Sequence, residues 1–237
     1  MEEKINSVLI TGASSGIGKA LVEVFANNAY HVIGISRREK NLIDLKKSLG
    51  ENEKYFDYLV ADISERNQIE EICDNISSKY FVHCLINNAG ISSFKSAIDD
   101  TIDEIEKIIK TNLFAPIYLI KKFLPEMILK KDGTIINILS VVNKKIFTNS
   151  SIYSASKTGL ESFSKVLREE HRNDNIKIIN VFPGAIATEI WPSKALEKYS
   201  SKMMDSKSVA NIIFQAFEQK GNLSVEELVI RPITGDL

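Results

Sequence analysis

A tyrosine and a lysine stand four residues apart, at positions 153 and 157. On a helix this spacing puts a phenol and an ammonium group on one face. A phenol is a poor proton donor near neutrality, because with an ordinary pKa near 10 only about 0.1% of it is ionised at pH 7. We expect Lys157 to stabilise the phenolate of Tyr153 and so to lower its pKa. The pair predicts general acid/base chemistry on a carbonyl or an alcohol.

The elements that must position this pair follow a regular alternation of short apolar runs and longer amphipathic stretches. We predict a first strand closing at 8–10 and further strands at 30–35, 56–60, 81–86, 134–139, 176–182 and 225–230. We predict helices at 17–28, 41–49, 66–79, a long helical region from 101 to 131, a helix carrying Tyr153 to about 172, and a helix at 207–219. Thr101 and Glu104 form a capping box, and Gly221 suits a left-handed helix cap. The alternation predicts an α/β fold of one domain over residues 1–237, with a doubly wound parallel sheet of about seven strands and helices on both faces.

Composition narrows the function classes. The chain has 237 residues, 44% of them hydrophobic, and a formal net charge of -1, so nothing draws it generally to nucleic acid or to a membrane. No apolar run approaches the ~20 residues that span a bilayer. The start lacks a secretion signal, and the two cysteines suggest a reducing compartment, so we expect a cytoplasmic protein. The three histidines are scattered, and we expect no metal site.

A glycine-rich turn separates the first strand from the first helix. Its glycines, Gly12, Gly16 and Gly18, follow the pattern G-x-x-x-G-x-G. Such a turn lets backbone N–H groups approach a pyrophosphate, and the helix start adds its positive dipole end. The predicted contacts are Gly12, Ser14, Ser15, Gly16, Ile17 and Gly18. The alternative is a simple tight turn.

The second predicted strand is followed by two arginines, Arg37 and Arg38, and no acid lies at 34–38. A carboxylate here would accept the ribose hydroxyl of NAD, whereas a guanidinium suits the 2′-phosphate of NADP. We therefore expect NADP(H), with NAD(H) less favoured and Arg37 preferred over Arg38 as the phosphate contact. The alternative is a solvated basic loop.

Two further loops follow strands at the same edge of the sheet, where ligands bind in open parallel sheets. Asp62 and Ile63 could meet the adenine of the nucleotide. Asn88, Ala89 and Gly90 could lie close to its ribose.

In sum, the residues resemble the short-chain dehydrogenase/reductase family in its single-domain Rossmann form. The matching motifs are T-G-A-S-S-G-I-G at 11–18, N-N-A-G at 87–90, Asn112, Ser140, Y-S-A-S-K at 153–157 and P-G-A-I-A-T at 183–188. The likeness implies hydride transfer between a nicotinamide and a small carbonyl or alcohol substrate. It also implies a homodimer or homotetramer.

The resemblance implies a role for each matching residue. Tyr153 would be the general acid/base, Lys157 would bind the nicotinamide ribose and lower the tyrosine pKa, and Ser140 would hold the substrate oxygen. Asn112 would support a proton relay to the lysine. Pro183, Gly184, Ile186 and Thr188 would lie against the nicotinamide.

A proline at position 116 adds a physical detail. Proline has no N–H and clashes with the carbonyl four residues before it, which here belongs to Asn112. We hypothesise that Pro116 frees this oxygen to accept from an active-site water. An ordinary proline kink is the alternative.

Substrate selectivity is expected in the segments 91–97, 141–150 and 189–205. Their apolar candidates for lining a pocket are Phe94, Ile146, Phe147 and Trp191, and each could equally be packing. The lysines of 189–205 indicate a solvated, mobile lid. The chain lacks the glycine-rich tail that follows the last strand in the fatty-acid-synthesis ketoacyl reductases of the family it resembles, and this difference argues against an acyl-carrier-protein substrate.

Two other functions stay open at this stage. A non-catalytic NADP-binding regulator would tolerate loss of the serine, tyrosine or lysine, and all three are present. A related sugar-nucleotide epimerase would need a longer chain. A methyltransferase gives no reason for the Tyr-x-x-x-Lys spacing.

Overall fold

Seven parallel strands form one sheet in the computed structural model, which describes residues 4–236. The strands are β1 (Ile5–Thr11), β2 (His31–Ser36), β3 (Phe56–Val60), β4 (Tyr80–Asn87), β5 (Gly133–Ile138), β6 (Ile176–Pro183) and β7 (Glu227–Ile230). Their order is β3-β2-β1-β4-β5-β6-β7, so the direction of winding reverses between β1 and β4. The predicted doubly wound fold is confirmed.

Eight α-helices connect the strands in the described part of the chain. They are α1 (Gly16–Asn27), α2 (Glu39–Ser48), α3 (Arg66–Lys79), α4 (Ile102–Ile109), α5 (Ala115–Lys130), α6 (Ser151–Glu170), α7 (Ser193–Tyr199) and α8 (Ser206–Phe217). Two large apolar clusters, one on each face of the sheet, bury the strand and helix side chains. None of these helices is both long enough and apolar enough to cross a membrane.

The long helical region predicted from residue 101 is interrupted. The capping box of Thr101 and Glu104 opens α4 as predicted. A π-helical turn, Lys110–Phe114, then separates α4 from α5, and Pro116 is the second residue of α5. One extra residue in this turn moves Asn112 out of the regular helical register.

One prediction about the last third of the chain, the helix cap at Gly221, is wrong in detail, and another, the solvated lid, stays a prediction. Gly221 has a positive φ of 82°, but α8 ends at Phe217, so the glycine serves a later turn rather than the helix cap. The segment predicted as a solvated lid contains α7. The segment is closed at its base by backbone bonds from Ala187 N to Met204 O (3.0 Å) and from Met204 N to Ala185 O (3.0 Å).

A buried row of amides crosses the middle of the sheet. Asn87, Asn137 and Asn180 lie opposite one another on β4, β5 and β6, and each is at most 2% exposed. Asn87 Nδ2 donates to Asn137 Oδ1 (2.8 Å), and Asn137 Nδ2 donates to Ser164 Oγ of α6 (2.9 Å) and Asn180 Oδ1 (3.3 Å). This asparagine ladder joins three strands to the helix that carries Tyr153.

Candidate active site

A cavity of about 520 Å³ lies across the carboxyl ends of the strands, over the point where winding reverses. It brings together all but two of the predicted catalytic and cofactor-binding residues. Those that line it are Gly12, Ser14, Ser15, Gly16, Ile17, Arg37, Arg38, Asp62, Ile63, Asn88, Ala89, Gly90, Ser140, Tyr153, Lys157, Pro183, Gly184, Ile186 and Thr188. Gly18 and Asn112 do not line it.

The glycine-rich turn requires glycine for specific reasons. Gly12 and Gly16 have φ of 68° and 52°, a region that other residues rarely adopt. A Cβ on Gly16 would lie 2.9 Å from Cγ2 of Thr188, so the turn packs against the segment after β6. Gly18 faces inward, toward the Gly12 carbonyl and the Asn88 side chain. Its place is therefore inside the turn, not at the cavity wall.

The turns after β1 and β4 are tied together at the reversal point. The Thr11 hydroxyl accepts from the backbone N–H groups of Asn88 and Ala89, both at 3.1 Å. Asn88 Nδ2 donates to the carbonyl oxygens of Thr11 (2.9 Å) and Gly12 (3.3 Å). These bonds hold both sides of the crevice at a fixed separation. Thr11 is not among the predicted site residues, although it begins the glycine-rich motif.

The two arginines occupy one end of the cavity. Arg38 Nε donates to Ser14 Oγ (3.2 Å) and Nη2 to Ser15 Oγ (2.5 Å), and Nη1 is paired with the Glu189 carboxylate. Arg37 is more exposed and reaches only Asp62, at 3.4 Å. Arg38 is therefore the arginine that the glycine-rich turn holds in place, and the preference for Arg37 as the phosphate contact stays a prediction.

Asp62 sits beside the arginines, after β3. Its partial burial opposes ionisation, but bonds from Ser64 N (2.9 Å) and Oγ (2.8 Å), together with the charge of Arg37, hold its pKa below the usual value. Its backbone N–H donates to Gln68 Oε1 (2.8 Å). The carboxylate is thus a fixed, ionised acceptor at the edge of the cavity.

The other end of the cavity holds Tyr153 and Ser140. Tyr153 lies on the first turns of α6, and Ser140 follows β5 by two residues. Burial raises the pKa of Tyr153 to about 12, and a hydrogen bond with Ser140 opposes that rise. Burial and this bond are the causes of the shift, and the predicted lowering by Lys157 stays a prediction. The cost of burying a phenolate outweighs the other effects.

Lys157 is buried beneath the tyrosine. Its Nζ donates to the Ile138 carbonyl (2.7 Å) and lies 5.8 Å from the Tyr153 ring centroid. Burial lowers the pKa of Lys157 to about 8. A Cβ on Gly90 would come within 3.3 Å of Nζ, so the absence of a side chain there leaves room for the amine. The spacing did place the two groups on one face, as predicted.

Asn112 is fully buried behind this end of the cavity. Its side chain accepts from Ile91 N (2.9 Å) and donates to Ile91 O (2.9 Å) and Ser156 Oγ (3.0 Å). These bonds join the π-helical turn to the loop after β4 and to α6. The hypothesis that Pro116 frees the main-chain oxygen of Asn112 stays a prediction.

The substrate segments contribute unequally. Trp191 lines the cavity and stacks on Phe94, with ring centroids 5.2 Å apart and planes at 24°. Ile146 and Phe147 are absent from the cavity wall, and Ile146 is 94% exposed. Their apolar character does not reveal which way the loop 141–150 faces. Ile91, Ser92, Glu189 and Ile190 line the cavity within the predicted segments 91–97 and 189–205. The lining residues that were not predicted are Ile35, Ser36, Ala61, Thr111, Ile138 and Leu139.

Comparison with known proteins identifies the family. A family model described as short chain dehydrogenase matches residues 6–198. This chain belongs to the short-chain dehydrogenase family. It is 32% identical to sepiapterin reductase of Chlorobaculum tepidum, with 97% of each chain covered, and 30% identical to farnesol dehydrogenase of Aedes aegypti, with 95% of each covered. The structure of a closed form of serine dehydrogenase complexed with NADP+ is similar, with a TM-score of 0.89, 25% identity, and coverage of 97% of this chain and 96% of that one.

Proposed function

We propose that this short-chain dehydrogenase is an NADP(H)-dependent oxidoreductase that interconverts a small carbonyl compound and its alcohol. When bound, the nicotinamide supplies or accepts the hydride. The observation that carries the proposal is the arrangement of one cavity, with two arginines at one end and Ser140, Tyr153 and Lys157 at the other. The arginines would then bind the 2′-phosphate of the nucleotide, and Ser140, Tyr153 and Lys157 would act beside its nicotinamide.

The residues at the reacting end divide the work. The hydroxyl of Ser140 orients the substrate oxygen, and Tyr153 donates a proton to that oxygen or removes one from it. Lys157 holds a positive charge beneath the tyrosine and donates to the nicotinamide ribose. Asn112 positions the lysine end of the cavity through the bonds that join α6 to the loop after β4.

The chain's own residues fit a dinucleotide with a 2′-phosphate. The turn at 12–16 carries only small side chains, and its two positive-φ glycines let the backbone come close to a pyrophosphate. Arg38 is already held by two serine hydroxyls of that turn, Ser14 and Ser15. The resemblance to a serine dehydrogenase solved with NADP+ supports the same preference.

The cavity wall favours a neutral substrate. Among its described lining residues the cationic side chains are Arg37 and Arg38, at the phosphate end, and Lys157, which is 3% exposed. The substrate end is formed by Ile91, Ser92, Leu139, Ile190 and Trp191. A substrate carboxylate would find no free cation there, so we expect ketones and aldehydes with an apolar or flat substituent rather than amino acids.

A spectrophotometric screen tests the proposal. NADPH oxidation is followed at fixed enzyme concentration with neutral ketones, diketones and aldehydes, including sepiapterin, and NADP+ reduction is followed with farnesol and with serine. We expect turnover of neutral compounds and little with serine. NADH and NAD+ serve as cofactor controls, and equal efficiency with them would contradict the assignment of the arginines.

The variant Tyr153→Phe separates an enzyme from a nucleotide-binding regulator. It removes only the hydroxyl, so NADPH binding should persist while turnover falls by at least about a hundredfold, the lower range for general acid/base catalysis. Retained turnover would reject the assignment of Tyr153. NADPH binding without turnover of any compound by the wild-type protein would favour the regulator.

We also propose a homodimer or homotetramer and a cytoplasmic location. Helices corresponding to 112–131 and 153–172 commonly build a four-helix dimer contact in the family that this chain resembles. Phe114 and Val166 lie on these two segments and are 60% and 58% exposed. Light scattering coupled to size-exclusion chromatography tests the assembly. A monomer at micromolar concentration would contradict it.

A further inference from the structure

One ion pair spans the mouth of the cavity and links two segments that are 151 residues apart. Arg38, after β2, is paired through Nη1 with the carboxylate of Glu189, in the segment after β6. Glu189 directly follows Thr188 and stands two residues before Trp191, and all three line the cavity. The pair therefore joins the phosphate end to the substrate segment.

The guanidinium of Arg38 has its three nitrogens engaged. Nε donates to Ser14, Nη2 to Ser15 and Nη1 to Glu189. A phosphate is bound best by two parallel N–H groups of such a fork. The serine hydroxyls are neutral and can turn to donate to a phosphate themselves, but a carboxylate only accepts and repels it. Glu189 is the partner that a 2′-phosphate must displace.

We propose that Glu189 is a selectivity residue that competes with the 2′-phosphate of NADP(H) for Arg38. This inference rests on the proposed function, because it assigns the 2′-phosphate to Arg38. NAD(H) carries a hydroxyl at the same position and leaves the ion pair in place. Glu189 thus reduces the preference for NADP(H) that the two arginines create.

The experiment measures the dissociation constants of NADPH and NADH by nucleotide fluorescence in wild type, Glu189→Gln and Glu197→Gln. Glu197 is an exposed acid of α7 in the same segment and forms no hydrogen bond or ion pair with Arg38, so it controls for the change in net charge. Exposed ion pairs contribute up to about 1 kcal/mol. We therefore expect Glu189→Gln to tighten NADPH binding about two- to fivefold, with NADH binding and the Glu197→Gln control unchanged.

The double variant Arg38→Gln/Glu189→Gln shows whether Glu189 acts through Arg38. In the Arg38→Gln background the second substitution should leave NADPH affinity unchanged. Glu189 is 62% exposed at its side chain, and a thermal unfolding scan checks that each variant is folded. An unchanged or weaker NADPH affinity in folded Glu189→Gln, with both nucleotides binding the wild type, would overturn this inference alone. If neither nucleotide binds the wild type, the proposed function fails with it.

Discussion

Gly18 offers the sharpest test of how the turn is built, because replacing it with alanine sets two opposite effects against each other. Gly18 is the third residue of α1, where alanine favours helix by about 1 kcal/mol over glycine. Its new Cβ, however, would lie 2.8 Å from the carbonyl carbon of Gly12 and 2.5 Å from Nδ2 of Asn88. Real Cβ atoms essentially never approach closer than 3.0 Å, so the turn must shift.

The shift has a cost that can be worked out from the contacts. Overpacking of this kind costs about 1–3 kcal/mol. Asn88 Nδ2 is held by the carbonyl oxygens of Thr11 and Gly12, and each bond lost costs about 1 kcal/mol more. With the helix-propensity gain subtracted, Gly18→Ala should lower the free energy of unfolding by about 2–4 kcal/mol. For a chain of this length that corresponds to a fall in Tm of roughly 5–15 °C.

Thermal unfolding and NADPH titration measure both consequences. We expect the lower Tm together with at least about a tenfold loss of NADPH affinity, or about 1.4 kcal/mol. Affinity falls because Gly12, which the new Cβ displaces, belongs to the glycine-rich turn proposed to bind the pyrophosphate. Gly159→Ala is the matched control, since Gly159 also lies in a helix and its Cβ would meet only Leu113 side-chain atoms at 3.2 and 3.3 Å. That variant should be neutral or slightly stabilised. Wild-type Tm and NADPH affinity in Gly18→Ala would refute the reasoning.

Three further predictions concern buried or cavity-lining groups. Burial lowers the pKa of Lys157 to about 8, so the folded chain binds this proton less tightly than the unfolded chain. The buried charge therefore lowers the free energy of unfolding. This loss of stability is full below pH 8 and fades between pH 8 and 10.5. Lys157→Met removes this charge and also the bond to Ile138, whose loss offsets part of the gain. The free energy of unfolding at pH 7 should therefore rise by about 2 kcal/mol, and turnover should be abolished. A difference in urea unfolding that does not depend on pH would contradict this assignment. Asn137→Leu removes the hydrogen-bond partner of both Asn87 and Asn180 in the asparagine ladder. It should lower the free energy of unfolding by about 3 kcal/mol in the same assay. A loss below about 1 kcal/mol would show that the ladder does not stabilise the fold. Trp191→Ala should raise KM for bulky apolar ketones more than it lowers kcat. Phe94→Ala should raise KM for the same ketones by less, because it removes only the stacking partner of Trp191. An equal rise in KM for acetone-sized substrates would show that Trp191 does not form a wall of the substrate site.

Much of the fold was predictable because its signals are local. Apolar runs and breakers gave β3 and α3 at their observed limits, and most other elements within about two residues. The capping box of Thr101 and Glu104 needs only neighbouring residues to form. The helix α7 was missed because its lysine- and serine-rich sequence has no apolar face of its own to bury.

The site was predictable to the extent that strand ends converge. Parallel strands bring their carboxyl ends to one edge, which is why loops far apart in sequence line a single cavity. The ion pair of Arg38 and Glu189 lay beyond prediction, because it depends on where a long segment crosses that edge. The depth at which Tyr153 is buried lay beyond prediction for a related reason, since helical spacing fixes which groups are neighbours but not how deeply packing buries them.

The backbone hydrogen bond between Ala187 and Met204 marks a place where one segment could be replaced by another. Everything from 188 to 203 leaves and re-enters the body of the protein through one narrow base, and none of it pairs with a strand of the sheet. A family member's corresponding insert could therefore be spliced onto this base without rebuilding the framework. Chimeras made there would carry the substrate specificity of the donor segment, while Ser140, Tyr153 and Lys157 remain those of this chain.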